Sequence, residues 1–152
     1  MGLDTANTDI NTISNRVVDI PRAKGLIGIL ILNKTGSLFY SKVNKKRVNI
    51  IKNIFQIAGF LSAMMIYSKD FIGSRELELK LEDVDLHIDT KNGVIFAYLI
   101  EKENHTEDSN KYIHIIFNDF LERYYDSHIK DFKGDLTPFY SFEEVIDQYF
   151  DM

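Results

Sequence analysis

The sequence predicts an α+β fold in which a five-stranded antiparallel sheet packs between helices. Five short segments carry strand patterns, and turn residues separate the strands of each hairpin. Three other segments repeat apolar residues every three or four positions, which is the spacing of a helix with one buried face. The predicted strands are residues 26–32, 37–43, 76–82, 84–89 and 94–100, and the predicted helices are residues 48–68, 109 to about 132, and 141–150.

The composition of the strands predicts their order in the sheet. Strands 26–32 and 94–100 are apolar throughout, as expected of central strands covered on both faces. Strands 76–82 and 84–89 alternate apolar and polar residues, which is typical of strands nearer an edge with one dry face. Short turns make strands of one hairpin neighbours. The predicted order is therefore 2-1-5-4-3, with strands numbered along the chain.

This order requires a long crossing connection. The predicted helix 48–68 follows strand 37–43 and precedes strand 76–82, and these two strands lie at opposite edges of the predicted sheet. We therefore expect the helix to cross one face, with the two later helices on the other face.

Capping signals set the expected ends of the later helices. Asp108 or Ser109 is the expected N-cap of the long helix, and Gly134 stands where a C-terminal cap belongs. Ser141 and Glu144 have the spacing of a capping box for the last helix.

The composition indicates one globular domain preceded by a polar arm. Hydrophobic residues make up 45% of the chain, and cysteine is absent. Residues 1–24 are mostly polar and lack clear periodicity, so we expect a flexible N-terminal arm before a domain at 25–152. The lack of cysteine and of an apolar N-terminal segment predicts a cytoplasmic protein, with peripheral membrane contact left open.

The charge is distributed unevenly. Residues 22–52 contain eight basic side chains and no acidic one, whereas residues 53–152 carry a net charge of −11. An acidic chain of this kind is not expected to bind nucleic acid. The basic part is either a solvated loop or a contact for an acidic GTPase surface or anionic lipid. The candidate basic contact is Lys42, Lys45, Lys46 and Arg47.

The segment "GILILNKTGS", residues 28–37, resembles two nucleotide motifs but satisfies neither. A phosphate-binding loop needs glycines after the strand and a helix that begins at the lysine. Here Gly28 lies within the strand, and another strand follows Thr35. The base-reading N-K-x-D motif lacks its aspartate, because position 36 is Gly36. We therefore expect a hairpin turn at residues 33–36.

Other chemistry-bearing residues show no motif. The four histidines have no ligand spacing, and the acidic residues Glu82, Asp83, Asp85 and Asp89 lack the pattern of a calcium loop. We expect these carboxylates to keep a sheet edge soluble. The sequence thus predicts no catalytic, cofactor-binding or metal-binding residue, and no enzyme.

The predicted helix 48–68 has a second face that is too apolar for bare solvent. Gly59 and Ala63, four residues apart, would let another backbone come close. Either residues 1–21 or a loop cover this face, or a protein partner does. The candidate interface residues are Lys52, Phe55, Gln56, Gly59, Ser62, Ala63, Ile66 and Tyr67.

The order of elements resembles the longin domain over about residues 25–150. The features that carry the resemblance are the hairpin "GILILNKTGSLFYSKV", the long helix after it, the Asn92-Gly93 hairpin and the two closing helices. The sister roadblock family shares most of this order but usually starts with a helix and ends with one. The second closing helix favours longin, whereas a helix within residues 8–20 would favour roadblock. Longin SNAREs continue into a coiled coil, so a chain ending at Met152 looks like a stand-alone longin protein.

The resemblance implies a non-catalytic interaction module of trafficking-like or small-GTPase-regulating complexes. Related domains commonly form homo- or heterodimers through this helix and the neighbouring edge strand, here 48–68 and 76–82. Three alternatives stay open: a roadblock-type GTPase regulator, a small-ligand sensor, and an enzyme whose site is assembled from distant residues. A large closed pocket would favour the sensor, and a polar cleft would favour the enzyme.

Overall fold

A computed structural model describes residues 20–33, 35–47, 60, 63, 76–80 and 83–152. Within these residues one antiparallel sheet of five strands forms the centre, in the order β2-β1-β5-β4-β3. The strands are β1 (Leu26–Asn33), β2 (Leu38–Val43), β3 (Glu76–Lys80), β4 (Val84–Lys91) and β5 (Val94–Glu101). The α+β class and the antiparallel sheet predicted from the sequence are confirmed, and the strand order is the one that strand composition predicts.

Two α-helices lie in the second half of the chain. The long helix, α1 (Glu107–Tyr124), continues into a π-helical turn (Tyr125–Ile129), and a 3₁₀ segment (Thr137–Phe142) leads into α2 (Glu143–Tyr149). Two further 3₁₀ turns are Lys45–Arg47 and Lys102–Asn104. The predicted helix 48–68 lies outside the described residues except for Phe60 and Ala63, which are both helical.

The N-cap predicted for the long helix is wrong. Thr106 is the N-cap, and its hydroxyl oxygen accepts a hydrogen bond from the Ser109 amide at 3.2 Å. Ser109 returns the bond, because its Oγ accepts from the Thr106 amide at 2.9 Å. Ser109 is thus the third residue of the helix. Its hydroxyl accepts the N-cap amide, as the side chain of glutamate or glutamine does in the usual capping box.

The capping box predicted at Ser141 and Glu144 is also wrong. Ser141 lies within the 3₁₀ segment, and the residue before α2 is Phe142, which has helical torsion angles and makes no side-chain cap. Pro138 stands at the start of the 3₁₀ segment, where its fixed φ favours a helical turn. The backbone is therefore already helical when it reaches Ser141, and no free helix start remains for that serine to cap.

The β1–β2 connection is the expected hairpin turn. Asn33 Oδ1 accepts hydrogen bonds from the Thr35 amide at 3.0 Å and the Ser37 amide at 2.9 Å. Gly36 has φ +92°, a torsion that glycine adopts without strain. The side chain of Asn33 and the positive φ of Gly36 thus close the turn between the two strands.

The two faces of the sheet carry separate apolar clusters. One cluster joins the sheet to α1, the 3₁₀ segment and α2, and is rich in aromatic rings such as Phe96, Phe117 and Phe120. The other covers the opposite face and contains aliphatic residues of β1, β4 and β5. Its members are Ile27, Leu30, Leu32, Val84, Leu86, Ile88, Ile95, Ala97 and Leu99.

The described residues before β1 are attached to the end of the chain. Ala23 forms a parallel bridge with Phe150, and the Ala23 amide donates to the Tyr149 carbonyl at 2.8 Å. The Tyr112 hydroxyl donates to the Pro21 carbonyl at 2.8 Å. Residues 21–23 of the predicted arm are therefore bonded to the folded domain, and residues 1–19 lie outside the described residues.

Candidate functional site

The predicted partner interface is represented by one described residue. Ala63 is helical and exposed. The others lie outside the described residues: Lys52, Phe55, Gln56, Gly59, Ser62, Ile66 and Tyr67.

Phe60 is an exposed aromatic residue that the sequence interpretation missed. It is helical, and 58% of its surface is exposed. In the helix predicted at 48–68, Phe60 would lie beside the predicted apolar face. The sequence gives little sign of this exposure, because a phenylalanine between two helix faces is expected to be buried.

The lysines of the predicted basic contact have different environments in the structure. Lys42 Nζ bonds the carboxylates of Glu143 at 2.8 Å and Asp147 at 2.9 Å, and so ties β2 to α2. Burial by itself lowers the pKa of Lys42, but its hydrogen bonds to the two carboxylates outweigh burial and leave that pKa raised. Lys45 and Lys46 are exposed in the 3₁₀ turn that ends at Arg47.

We expect Lys42→Met to lower the free energy of unfolding by about 1 kcal/mol or less, because both carboxylate partners are more than half exposed. Urea denaturation at low ionic strength measures the change. Lys45→Met removes the same charge from an exposed lysine and should change stability by less than about 0.5 kcal/mol. Equal losses in the two variants would contradict a bridging role for Lys42.

The prediction that acidic residues keep a sheet edge soluble is wrong for the two on β4. Asp85 and Asp89 are each only 4% exposed. Their side of β4 faces α1, as the hydrogen bond from Lys91 Nζ to Asn118 Oδ1 shows. The alternating pattern assigned these carboxylates to one face correctly, but the packing of α1 determines that this face is covered.

Asp85 belongs to a polar network at the start of α1. His105, in the loop before the helix, has Nδ1 at 2.8 Å from Asp85 Oδ2. Its other nitrogen, Nε2, lies 2.7 Å from Asn110 Oδ1. The Tyr98 hydroxyl of β5 also donates to Asn110 Oδ1, at 2.8 Å. The T-x-x-S cap at residues 106–109 fixes the loop, and thereby holds His105 over the sheet.

The environment of His105 favours positive charge. Burial lowers the pKa of His105, but the hydrogen bonds to Asp85 and Asn110 and the negative charges of Asp85 and Glu78 together raise it above its usual value. Asp85 Oδ1, in contrast, is buried and accepts no hydrogen bond within the part of the chain that the structure describes.

Glu78, Asp85 and His105 together have the donor atoms of a cation site. One ligand atom from each lies within 4.8 Å of the other two. Glu78 is an exposed residue of β3, and Asp85 and His105 come from β4 and the loop before α1. The sequence interpretation predicted no metal site, because three donors from separate elements have no spacing along the chain to recognise.

Comparisons with known proteins identify the fold. No protein-family model and no curated protein sequence matches the chain. Among solved structures, it is similar to a Roadblock/LC7 domain from Streptomyces avermitilis, with TM-score 0.55 and 14% identity over 74% of this chain and 94% of that one. It is also similar to MglB from Myxococcus xanthus, with TM-score 0.54 and 13% identity over 68% of this chain and 85% of that one.

A third solved structure, described as MglB with a tetrameric arrangement, has TM-score 0.51 and 11% identity over 64% of this chain and 76% of that one. No helix among the described residues of this chain is long and apolar enough to cross a membrane. At these identities the likeness concerns the fold alone. The sheet order and the solved structures together establish that this chain has a longin/roadblock-type fold.

Proposed function

We propose that this chain is a non-catalytic protein–protein interaction module, serving as a subunit or scaffold in membrane-trafficking-like or small-GTPase-regulating complexes. The observation that carries the proposal is the exposure of Phe60, beside Ala63, on helical backbone of a longin/roadblock-type fold. A large exposed aromatic residue is a common anchor of protein interfaces. A homo- or heterodimer through residues 48–68 and the edge strand 76–82 would cover it.

The sheet topology supports a helix at 48–68 on the face opposite α1 and α2. The connection from β2 to β3 joins opposite edges of the sheet, and we infer that it crosses one face. One face already carries α1 and α2. The other face is buried, and the described residues that pack on its cluster are Leu38 and Val43 of the sheet itself. We infer that residues 48–75 supply the cover.

The described core supports an interaction module over a small-ligand sensor. Between the sheet and the closing helices, aromatic rings are in direct contact. The Phe96 and Phe117 ring centroids are 4.3 Å apart, and those of Phe120 and Phe142 are 5.0 Å apart. Rings at these separations are packed against one another. A sensor would need a closed cavity in the domain interior, and this part of the interior is filled.

The test is Phe60→Glu, which places a charge at the proposed contact. We expect self-association, measured by light scattering across a concentration series, to weaken at least about tenfold, as for loss of an interface anchor. Tyr140→Glu is the matched control, because Tyr140 is 65% exposed and lies in the 3₁₀ segment before α2. Circular dichroism checks that both variants fold.

If the wild-type chain is a monomer, the same pair of variants tests a heterodimer. Affinity purification with each chain as bait, followed by mass spectrometry, should recover a small GTPase or another partner with wild type and Tyr140→Glu, and lose it with Phe60→Glu. A monomeric wild type without a partner, or equal behaviour of the two variants, would overturn the proposal.

The likeness to a Roadblock/LC7 domain favours a second form of this function, a roadblock-type GTPase regulator. In that form the chain would change the rate at which its partner GTPase hydrolyses GTP or releases nucleotide. Assays of both rates with the purified proteins measure this change. A plain scaffold would bind the GTPase and leave both rates unchanged.

The cellular setting is part of the same proposal. We propose a cytoplasmic protein with a domain at 25–152 and an arm at 1–24, of which residues 21–23 are bonded to the domain. Peripheral contact with anionic lipid would use the exposed Lys45 and Lys46, since Lys42 is held by α2.

A further inference from the structure

We propose that Glu78, Asp85 and His105 form a binding site for a divalent transition-metal ion, with Zn²⁺ as the best match. The three ligand atoms lie within 4.8 Å of one another. They come from β3, β4 and the loop before α1, so a bound ion would join the edge strand to the rest of the domain.

Hydrogen bonding in the network leaves one nitrogen of His105 directed at the carboxylates. Asn110 Oδ1 also accepts the Tyr98 hydroxyl, so Nε2, at 2.7 Å from the same oxygen, is the donor of that pair, and Nδ1 is the nitrogen left for the carboxylates. Nδ1 faces Asp85 Oδ2 at 2.8 Å. A metal ion that displaces the Nδ1 proton from this contact would be bound by the Nδ1 lone pair and by Asp85 Oδ2. Histidine ligands of metals usually donate their other N–H to an oxygen in this way.

Asp85 supplies an independent indication of a ligand. Its side chain is only 6% exposed, yet Asp85 Oδ1 accepts no hydrogen bond from the described part of the chain. A buried carboxylate oxygen without a donor is costly, and nearly all such oxygens in proteins have a partner. A metal ion held by the carboxylate would provide that partner. It would also balance the two negative charges of Asp85 and Glu78.

Small movements of the side chains would bring the three donors to the distances of a bound ion. Donors bound to tetrahedral zinc at about 2.1 Å are about 3.4 Å from one another. Nδ1 and Asp85 Oδ2 therefore need to separate slightly from 2.8 Å, and the third donor, now within 4.8 Å, needs to approach. Glu78 can make this approach, because it is exposed and its side chain is long. Its exposure also gives the ion a route from solvent and an open coordination position.

The donor set favours zinc over magnesium or calcium. Imidazole is a good ligand for zinc and its neighbours among the transition metals, whereas magnesium and calcium prefer all-oxygen shells of six or more ligands. Two carboxylates and one imidazole are enough for a zinc site that completes its shell with water.

The test is isothermal titration calorimetry, in which Zn²⁺ is added to the full chain after a chelator has removed any bound metal. We expect a site of one ion per chain. Glu78→Gln and His105→Gln should each weaken binding at least about tenfold. Asn110→Ala, which removes the acceptor of Nε2–H, should weaken it about 10–100-fold. Glu122→Gln is the matched control, since Glu122 is exposed on α1 and outside the site, and it should bind as wild type does.

Two readouts besides affinity identify the site. Co²⁺ in place of zinc should give visible absorption bands that Glu78→Gln reduces. Zinc should also slow amide hydrogen exchange in β3 of wild type, but not of Glu78→Gln, because the ion would hold that strand to β4. Absence of zinc binding by wild type would overturn the proposal. The proposal would also be overturned if the Glu78→Gln and Glu122→Gln variants bound zinc equally tightly. Glu78→Gln is expected to fold because Glu78 is exposed.

Discussion

Replacing Phe120 with alanine should lower the free energy of unfolding by about 3–5 kcal/mol. Phe120 is fully buried on α1, at the centre of the aromatic cluster. Its ring lies 5.0 Å from the rings of Tyr124 and Phe142 and 5.5 Å from that of Phe139, measured between centroids. Truncation would leave a cavity where α1, the 3₁₀ segment and the sheet meet. Because these rings surround the site on several sides, the neighbours cannot collapse fully into the space.

Urea denaturation followed by circular dichroism measures this loss. The control is Ile115→Ala on the same helix, because Ile115 is 45% exposed and its truncation should cost under about 1 kcal/mol. Equal losses in the two variants would mean that the aromatic cluster is not the main source of stability for α1. A loss that Phe120→Leu largely avoids would support the cavity explanation, since leucine fills more of the space.

Gly25→Ala should be the second strongly destabilising change, at about 2–4 kcal/mol. Gly25 has φ +87°, where a residue with a Cβ is strained by roughly 1–2 kcal/mol. An added Cβ would also lie 2.5 Å from the Cβ of Asn104, and that contact cannot be relieved by a side-chain rotation alone. The Gly25 carbonyl accepts the Glu101 amide at 2.8 Å, so the backbone has little freedom to move away.

Gly134→Ala separates the two causes. Gly134 has φ +102°, and a Cβ there meets nothing within 4 Å. It should therefore show the torsional strain without the clash, and cost less than Gly25→Ala. Thermal or urea denaturation compares the two variants directly. Adding Asn104→Gly to Gly25→Ala should recover the difference between them. If the double variant recovers nothing, the clash is not the cause of the loss.

Local patterns were sufficient where one element decides the outcome. The apolar runs of β1 and β5 predict central strands, and the alternating segments predict outer strands, because the two faces of a strand are set by a period of two. The turn at residues 33–36 is equally local, since Asn33 and Gly36 supply the side-chain acceptor and the positive φ themselves. The predicted caps of α1 and α2 are wrong for local reasons. A serine at the third helix position is a less common capping partner than glutamate, and a 3₁₀ turn before α2 has no distinct sequence pattern.

The sequence by itself determined the fold class of this protein, the order of its strands and the hairpin turn between β1 and β2. Only the tertiary structure decided that Asp85 is buried, that His105 lies against it, and that Glu78 completes a set of three donors. The physical reason is that periodicity assigns a residue to a face, whereas burial depends on which other element packs on that face. Donors from an edge strand, an inner strand and a loop meet only after the chain has folded.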